Sequence, residues 1–355
     1  MTATLTIDLR AIRTNWRSIA DMIAPAECAA VVKADGYGCG LERVVGALLA
    51  EGCRTFFVAR LSEGLRARAV AAEAAIYVLD GLTVGGGAEL RQAGLRPALG
   101  SLPEIAEWTA GGGGPAALHF DTGMNRLGLS IDEAPAALAA LGRAPDLVMS
   151  HFVSSEDQAS PDNQAQIERL ARVREMIPNV RVSLCNSSGI YLPFHPWLDV
   201  ARPGYALYGG NPTPGRANPM RPVVSLEAPI LQTRRIEAGA HVGYNAQWTA
   251  RRPTLLAVIP VGYADGVPRS AMGVDGKPGP DVAIASVRCP IVGRVSMDLI
   301  TVDATDAPAG AVERGAPVEV LGPTIRIDEF GERAGTIGYE ILTSLGRRYR
   351  RAYVG

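Results

Sequence analysis

The sequence predicts an α/β protein, an N-terminal (β/α)8 barrel followed by a C-terminal, mainly-β domain. Three observations carry that reading. Between about residues 29 and 204, eight short apolar runs alternate with helix-like segments. After about residue 212 helical periodicity gives way to β-type runs divided by dense turns. The chain is also 355 residues long, which favours two domains over one.

The eight runs are Ala29 to Val32, Thr55 to Ala59, Ala75 to Leu79, Pro97 to Leu99, Ala117 to Phe120, Leu147 to Met149, Val182 to Cys185 and Leu198 to Ala201. Short strands that are apolar throughout belong in a parallel sheet buried on both faces. Eight such units in so short a stretch fit a closed, TIM-like barrel better than an open sheet. Helical segments are expected at Leu9 to Ile23, Leu41 to Glu51, Ser62 to Ala72, Ser101 to Trp108 and Pro161 to Ile177. Ser101 with Glu104 three residues on has capping-box spacing. The proline-rich stretch from Asn211 to Pro219 reads as a linker. These features place the barrel at about 8–212 and the second domain at 213–355. Beyond the linker, strands are expected at Leu255 to Ile259, Val282 to Val287, Leu299 to Val302 and Pro317 to Leu321, with a helix near Tyr339 to Leu345. The strand-like start, Thr4 to Ile7, is expected to pack with that second domain.

Composition narrows the function classes. With 35 basic and 36 acidic residues there is no excess charge to favour nucleic acid or an anionic membrane. No apolar run approaches the length of a bilayer span, and the N-terminus lacks a basic-then-apolar signal pattern. The five cysteines show no C-x-x-C pair and read as free thiols, so a cytoplasmic protein is expected. The four histidines have no metal-ligand spacing, so no metal is expected. Gly85 to Gly87 and Gly111 to Gly114 lack the context of a phosphate-binding loop and read as turns.

Reactive groups of such a barrel collect at the carboxyl ends of its strands. In order these are Lys33, Arg60, Asp80, Asp121 with Arg126, His151, Asn186 with Ser187, and Arg202 with Gly204. Lys33 is the informative one, because burial disfavours the charged form of an amine and suits it to imine formation. By position alone the commoner reading is a lysine whose stem is buried and whose amine reaches water. His151 alone would pass as a core histidine, Tyr244 as a strand tyrosine and Met297 as core filler.

The surrounding residues favour the chemical reading. Ala30-Val-Val-Lys-Ala-Asp-Gly-Tyr-Gly38 resembles the cofactor-lysine signature of the alanine racemase family. Asp121 to Gly128, Ser150-His-Phe152, Asn186-Ser187, Arg202-Pro-Gly204 and Leu207-Tyr-Gly209 resemble the family's later barrel motifs, in order. Val242 to Thr249, Pro260 to Gly266 and Gly293 to Asp298 are similar to its second-domain motifs.

The resemblance implies a racemase that binds pyridoxal 5'-phosphate (PLP) on Lys33. It implies Tyr37, Asn186, Ser187, Gly204, Tyr205 and Tyr339 as further cofactor contacts, several of them at the phosphate, and Arg202 opposite the pyridine nitrogen. An arginine there only donates, so the nitrogen stays unprotonated and the cofactor is a restrained electron sink. It implies two acid/base groups, Lys33 and Tyr244, with His151 and Arg202 supporting Tyr244. Arg126 and Met297 fall beside the substrate. In the family Tyr244 and Met297 come from the second subunit, which implies a homodimer with sites at its interface. Alanine is the implied substrate, with D-alanine made for peptidoglycan or alanine catabolised.

Three positions depart from better-known members: His119 for a lysine that becomes carbamylated, Ser183 for a histidine that braces Arg202, and Ser296 for a cysteine. The shorter Ser183 is expected to need a bridging water. A PLP decarboxylase of similar architecture would place a carboxylate where Arg202 stands. A PLP-carrier barrel would lack the second domain. Racemisation of serine or a broader substrate range remains the competing enzyme reading.

Overall fold

The computed structural model describes residues 2–355, which fall into two compact units. The first contains Ile12–Leu207 and Asn211–Met220; the second contains the N-terminal segment through Ala11, Tyr208–Gly210 and Arg221–Gly355.

In the first unit seven parallel strands run in sequence order from Ala30–Val31 to Val182–Ser183. The intermediate strands are Thr55–Val58, Ala75–Val78, Arg96–Leu99, Ala117–His119 and Leu147–Met149. The eighth, Val200–Ala201, pairs in parallel with Glu27–Cys28, the leading part of the first strand. Backbone bonds close the ring. The amides of Glu27, Ala29 and Val31 donate to the carbonyls of Asp199, Ala201 and Pro203, each at 2.9 Å. On the other side of the eighth strand, Asp199 donates to Val182 at 3.1 Å and Arg202 to Cys185 at 2.9 Å. All eight predicted strands are present, and the ring is a closed (β/α)8 barrel.

Its strands are apolar because they are covered on both faces. Thr55–Val58 is buried at every position, and Phe56 and Phe57 are fully so. Burying each of those phenylalanines contributes about 1.5–3 kcal/mol. Phe57 stacks on Tyr77, with ring centroids 5.0 Å apart. Helices Leu41–Glu51, Leu61–Val70, Leu102–Ala110 and Pro161–Met176 lie between strands in sequence. Ser101 caps Leu102–Ala110 as its spacing predicts, its Oγ accepting from the Glu104 amide at 3.4 Å. Gly87 opens a short helix, Gly87–Gln92, that was read as part of a turn. The proline-rich stretch read as a linker is part of the compact barrel unit through Met220, and Thr213 within it is buried.

The second unit is mainly β. Thr4–Asp8 lies inside a six-stranded sheet, antiparallel to Val224–Pro229 and parallel to Arg350–Val354. Gln232–Ile236, Thr254–Ile259 and Ile300–Asp303 form a three-stranded sheet. The run from Val282 to Val287, read as one strand, is two: Asp281–Ile284 and Val287–Pro290 pair as a hairpin. Ala285 and Ser286 between them have φ of 48° and 66°, the left-handed pair a tight hairpin turn requires. Two short helices, Ile327–Arg333 and Gly338–Thr343, complete the unit. Among the described residues no helix is long and apolar enough to cross a membrane.

Candidate active site

The barrel brings together Lys33, Tyr37, His151, Asn186, Ser187, Arg202, Gly204 and Tyr205, all at or just beyond strand ends. Lys33 directly follows the first strand. The four residues after it, Ala34, Asp35, Gly36 and Tyr37, all have positive φ between 51° and 63°. This is one turn of left-handed helix, and three of its residues are not glycine. Each such residue costs roughly 1–2 kcal/mol, so surrounding contacts must hold it. They do. The Asp35 amide donates to Glu63 Oε1 at 3.3 Å, and Asp35 Oδ1 accepts from the Leu41 amide at 3.2 Å and from Arg66 at 2.5 Å. The turn carries the chain from Lys33 to the buried Tyr37 at the barrel end.

Lys33 is half-buried. Its pKa is lowered, first by burial and then by the Arg126 charge; Asp80 and Glu63 partly oppose this and Arg202 adds to it. A larger fraction of the amine is therefore neutral and nucleophilic.

Arg202 is buried and charged. Its Nη1 donates to Ser183 Oγ, while Nη2 donates to the Ser150 carbonyl at 2.6 Å and the Leu184 carbonyl at 3.4 Å. Its guanidinium lies 5.7 Å from the centre of the Phe57 ring. All of these partners are neutral. Burial pushes its pKa down to about 10, which leaves it charged at neutral pH. Ser183 reaches it directly, without the bridging water expected, because the same Oγ is oriented by donating to the Val200 carbonyl at 2.6 Å.

His151 Nδ1 is 3.4 Å from Arg202 Nη2. Burial, then the charges of Arg202, Lys33 and Arg126, push this histidine down to about 3. It is a neutral imidazole at neutral pH. A guanidinium can only donate, so Nδ1 accepts and the proton sits on Nε2. His119 is likewise pushed down to about 4, chiefly by burial and then by Arg202.

Ser187 Oγ accepts from the amides of Gly204 and Ala206, both at 3.1 Å. These amides stand at the start of the short Tyr205–Tyr208 helix, and Tyr205 is buried. A side-chain carbon at Gly204 would lie 2.4 Å from Tyr37 Oη. Only glycine allows the tyrosine to approach so closely. Asn186 Oδ1 accepts from Ser155 Oγ and from the Gly189 amide, both at 2.8 Å, so its amide oxygen shapes the loop.

Arg126 is exposed on a loop pinned at its root. Asp121 Oδ1 accepts from the amides of Gly123 and Met124, and the Asp121 and Leu129 amides close the loop's base. Tyr244, Met297 and Tyr339 belong to the second unit. Tyr244 is 69% exposed, at a tip where Gly243, Asn245 and Ala246 all have positive φ. Met297 is 54% exposed, and its carbonyl accepts from the Ala264 amide at 3.0 Å. Tyr339 is half-buried near the start of Gly338–Thr343.

Two domain models match the chain: alanine racemase, N-terminal domain, over residues 7–212, and alanine racemase, C-terminal domain, over residues 223–353. The chain belongs to the alanine racemase family. An alanine racemase of Methylobacterium nodulans is 54% identical over 360 residues, covering 99% of this chain and 96% of that protein. A catabolic alanine racemase of Rhizobium johnstonii is 45% identical, covering 99% and 95%. Among solved structures, the alanine racemase of Bartonella henselae with covalently bound pyridoxal phosphate superposes with a TM-score of 0.93. It is 39% identical, and each chain is covered completely.

Some residues in contact with this region carry no motif in the sequence. Gln166, Glu63 and Phe57 support the site and were not singled out from sequence. Gln166 had a signal: Asn163 and Gln166 continue the buried helical stripe of Leu170 and Val173, and amides on such a stripe need partners. All five cysteines are free and buried. Burial pushes Cys53 and Cys185 up to about 12, so their thiols are unreactive.

Proposed function

We infer that the chain interconverts L- and D-alanine, with PLP held on Lys33 and a second acid/base group, Tyr244, supplied by a partner subunit. The observation that carries this is the pairing of a lysine of lowered pKa with a buried arginine whose partners are all neutral.

The residues present fit PLP. The amides of Gly204 and Ala206 converge on a single oxygen, Ser187 Oγ, beside Tyr37, a donor set suited to a phosphate. Arg202 offers only donors, which suits an unprotonated pyridine nitrogen. Lys33 offers the amine. Asn186 supports the Ser187 segment, and Tyr205 and Tyr339 complete the proposed cofactor contacts. When bound, PLP withdraws electrons from the substrate and so acidifies its Cα–H bond.

The chain's own residues do the rest. Lys33 Nζ, partly neutral, takes or returns the Cα proton on one face. Tyr244 Oη does so on the other, because one group cannot easily serve both faces. His151, neutral with its proton on Nε2, and Arg202 behind it form a donor relay toward that phenol. Arg126, at the tip of its pinned loop, holds the substrate carboxylate, and Met297 bounds the space around its methyl group. The exposure of Tyr244 and Met297 supports their use by a neighbouring copy, hence a homodimer.

The test is direct. Borohydride reduction of the PLP-loaded protein followed by peptide mass spectrometry is expected to place the cofactor's mass on Lys33. Chiral chromatography of incubated L-alanine is expected to show an approach to equal amounts of both enantiomers. Absence of the added mass would remove the PLP reading, and its presence without D-alanine would remove the racemase reading.

A further inference from the structure

Gln166 and Arg169 project from the helix Pro161–Met176 toward the carboxyl end of the barrel. Gln166 is 1% exposed and its amide is almost saturated. Nε2 donates to Thr122 Oγ1 at 3.0 Å and to the His151 carbonyl at 2.9 Å, while Oε1 accepts from the Val153 amide at 2.9 Å. The carbonyl of His151 and the N–H of Val153 allow only one orientation of that amide. Arg169, one turn on, donates from Nη1 to the Thr122 carbonyl at 2.7 Å. A side-chain carbon at Gly123 would lie 3.0 Å from that Nη1, so the loop passes close beneath the arginine.

Thr122 and Gly123 form the root of the loop that carries Arg126. His151 and Val153 belong to the loop that follows the strand Leu147–Met149. Thr122 Oγ1 also lies 2.7 Å from Ser150 Oγ, and the Ser150 carbonyl holds Arg202. One helix therefore grips both loops from behind, through three backbone groups and the Thr122 hydroxyl.

We propose that Gln166 and Arg169 are positioning residues that set the Arg126 loop against His151 and Arg202. Arg169 holds the Arg126 loop alone; Gln166 holds both. This rests on the reading that Arg126 and His151 face the substrate. A shift of about 1 Å in such a group is enough to change rates up to a hundredfold.

The test combines hydrogen-exchange mass spectrometry with steady-state kinetics on the PLP-loaded enzyme. Arg169→Ala removes one exposed side chain and is expected to fold. Exchange over residues 121–129 should accelerate about tenfold while the strands keep wild-type protection. KM for alanine should rise about tenfold, with kcat within about twofold. Arg169→Lys, which can reach the same carbonyl, should restore both. Gln166→Met keeps length and helix propensity; it should also accelerate exchange over 151–153 and lower kcat.

Wild-type exchange over 121–129 in Arg169→Ala would overturn the proposal, as would faster exchange there with unchanged KM. If Gln166→Met fails to fold, Arg169→Ala decides alone. If the wild-type enzyme does not racemise alanine, the functional reading fails, while the exchange data still decide whether the helix holds the two loops.

Discussion

His151 Nδ1 lies 3.4 Å from Arg202 Nη2, so a neutral imidazole accepts from a buried guanidinium. The direction of that contact assigns the remaining imidazole proton to Nε2 and makes His151 a donor toward whatever stands beyond it.

The burial of His151, and then the Arg202 charge beside it, predicts a pH dependence of stability. In the unfolded chain His151 protonates as pH falls through about 6.5, whereas in the native protein it stays neutral down to about 3. The unfolded state then binds more protons, so stability is lost as pH falls between those values. The maximal slope is about 1.4 kcal/mol per pH unit for one histidine. Urea unfolding between pH 4 and 7 is expected to show a shallower decline in His151→Gln than in the wild type. Parallel curves would contradict the assignment.

Ser183→Ala should destabilise the barrel by about 1–3 kcal/mol, because it leaves an N–H of a buried charged group without its acceptor. Ser183 Oγ also donates to the Val200 carbonyl, so the loss falls where the eighth strand closes the ring. Denaturant midpoints of the two proteins give the difference.

Gly204→Ala would force a carbon to within 2.4 Å of Tyr37 Oη. Displacing that tyrosine should cost about 1–3 kcal/mol of stability and weaken PLP binding at least tenfold, read from absorbance titration. Adding Tyr37→Phe should recover part of the stability and none of the affinity.

Tyr244→Phe should slow racemisation by about a hundredfold or more, the scale of a lost acid/base group. Exchange of the Cα hydrogen with heavy water, followed separately from each enantiomer, should fail for one and persist for the other. Equal persistence in both would remove Tyr244 from the pair.

Much of this architecture was legible in the sequence, for definite reasons. Strands such as Thr55–Val58 are buried on both faces and so read as unbroken apolar runs. The helix bounds at Leu41 and Glu51 were readable because Gly40 and Gly52 flank them. What escaped has equally physical causes. The hairpin at Ala285 and Ser286 turns on residues that do not advertise positive φ, so Val282 to Val287 read as one strand. Gln232–Ile236 is mostly exposed and carries no apolar alternation. At the barrel end, the motif singles out Lys33 and Tyr37 but not the left-handed turn joining them, because Ala34 and Asp35 rarely adopt it. Ser183 was expected to fall short of Arg202, since chain length alone could not show how close the adjacent seventh and eighth strands bring the two.

The closure of the barrel has a consequence for how the protein is made. Lys33 lies just past the first strand and Arg202 just past the eighth, and the bonds from Ala29 to Ala201 and from Val31 to Pro203 bring them into neighbouring positions. During synthesis the lysine therefore emerges about 170 residues before the arginine, some ten seconds or more at ordinary elongation rates. Until the last strand leaves the ribosome, Lys33 has no closed ring to be buried in and lacks Arg202 beside it. The buried amine with its lowered pKa thus exists only in the completed barrel, and a truncated chain carries the lysine without those surroundings.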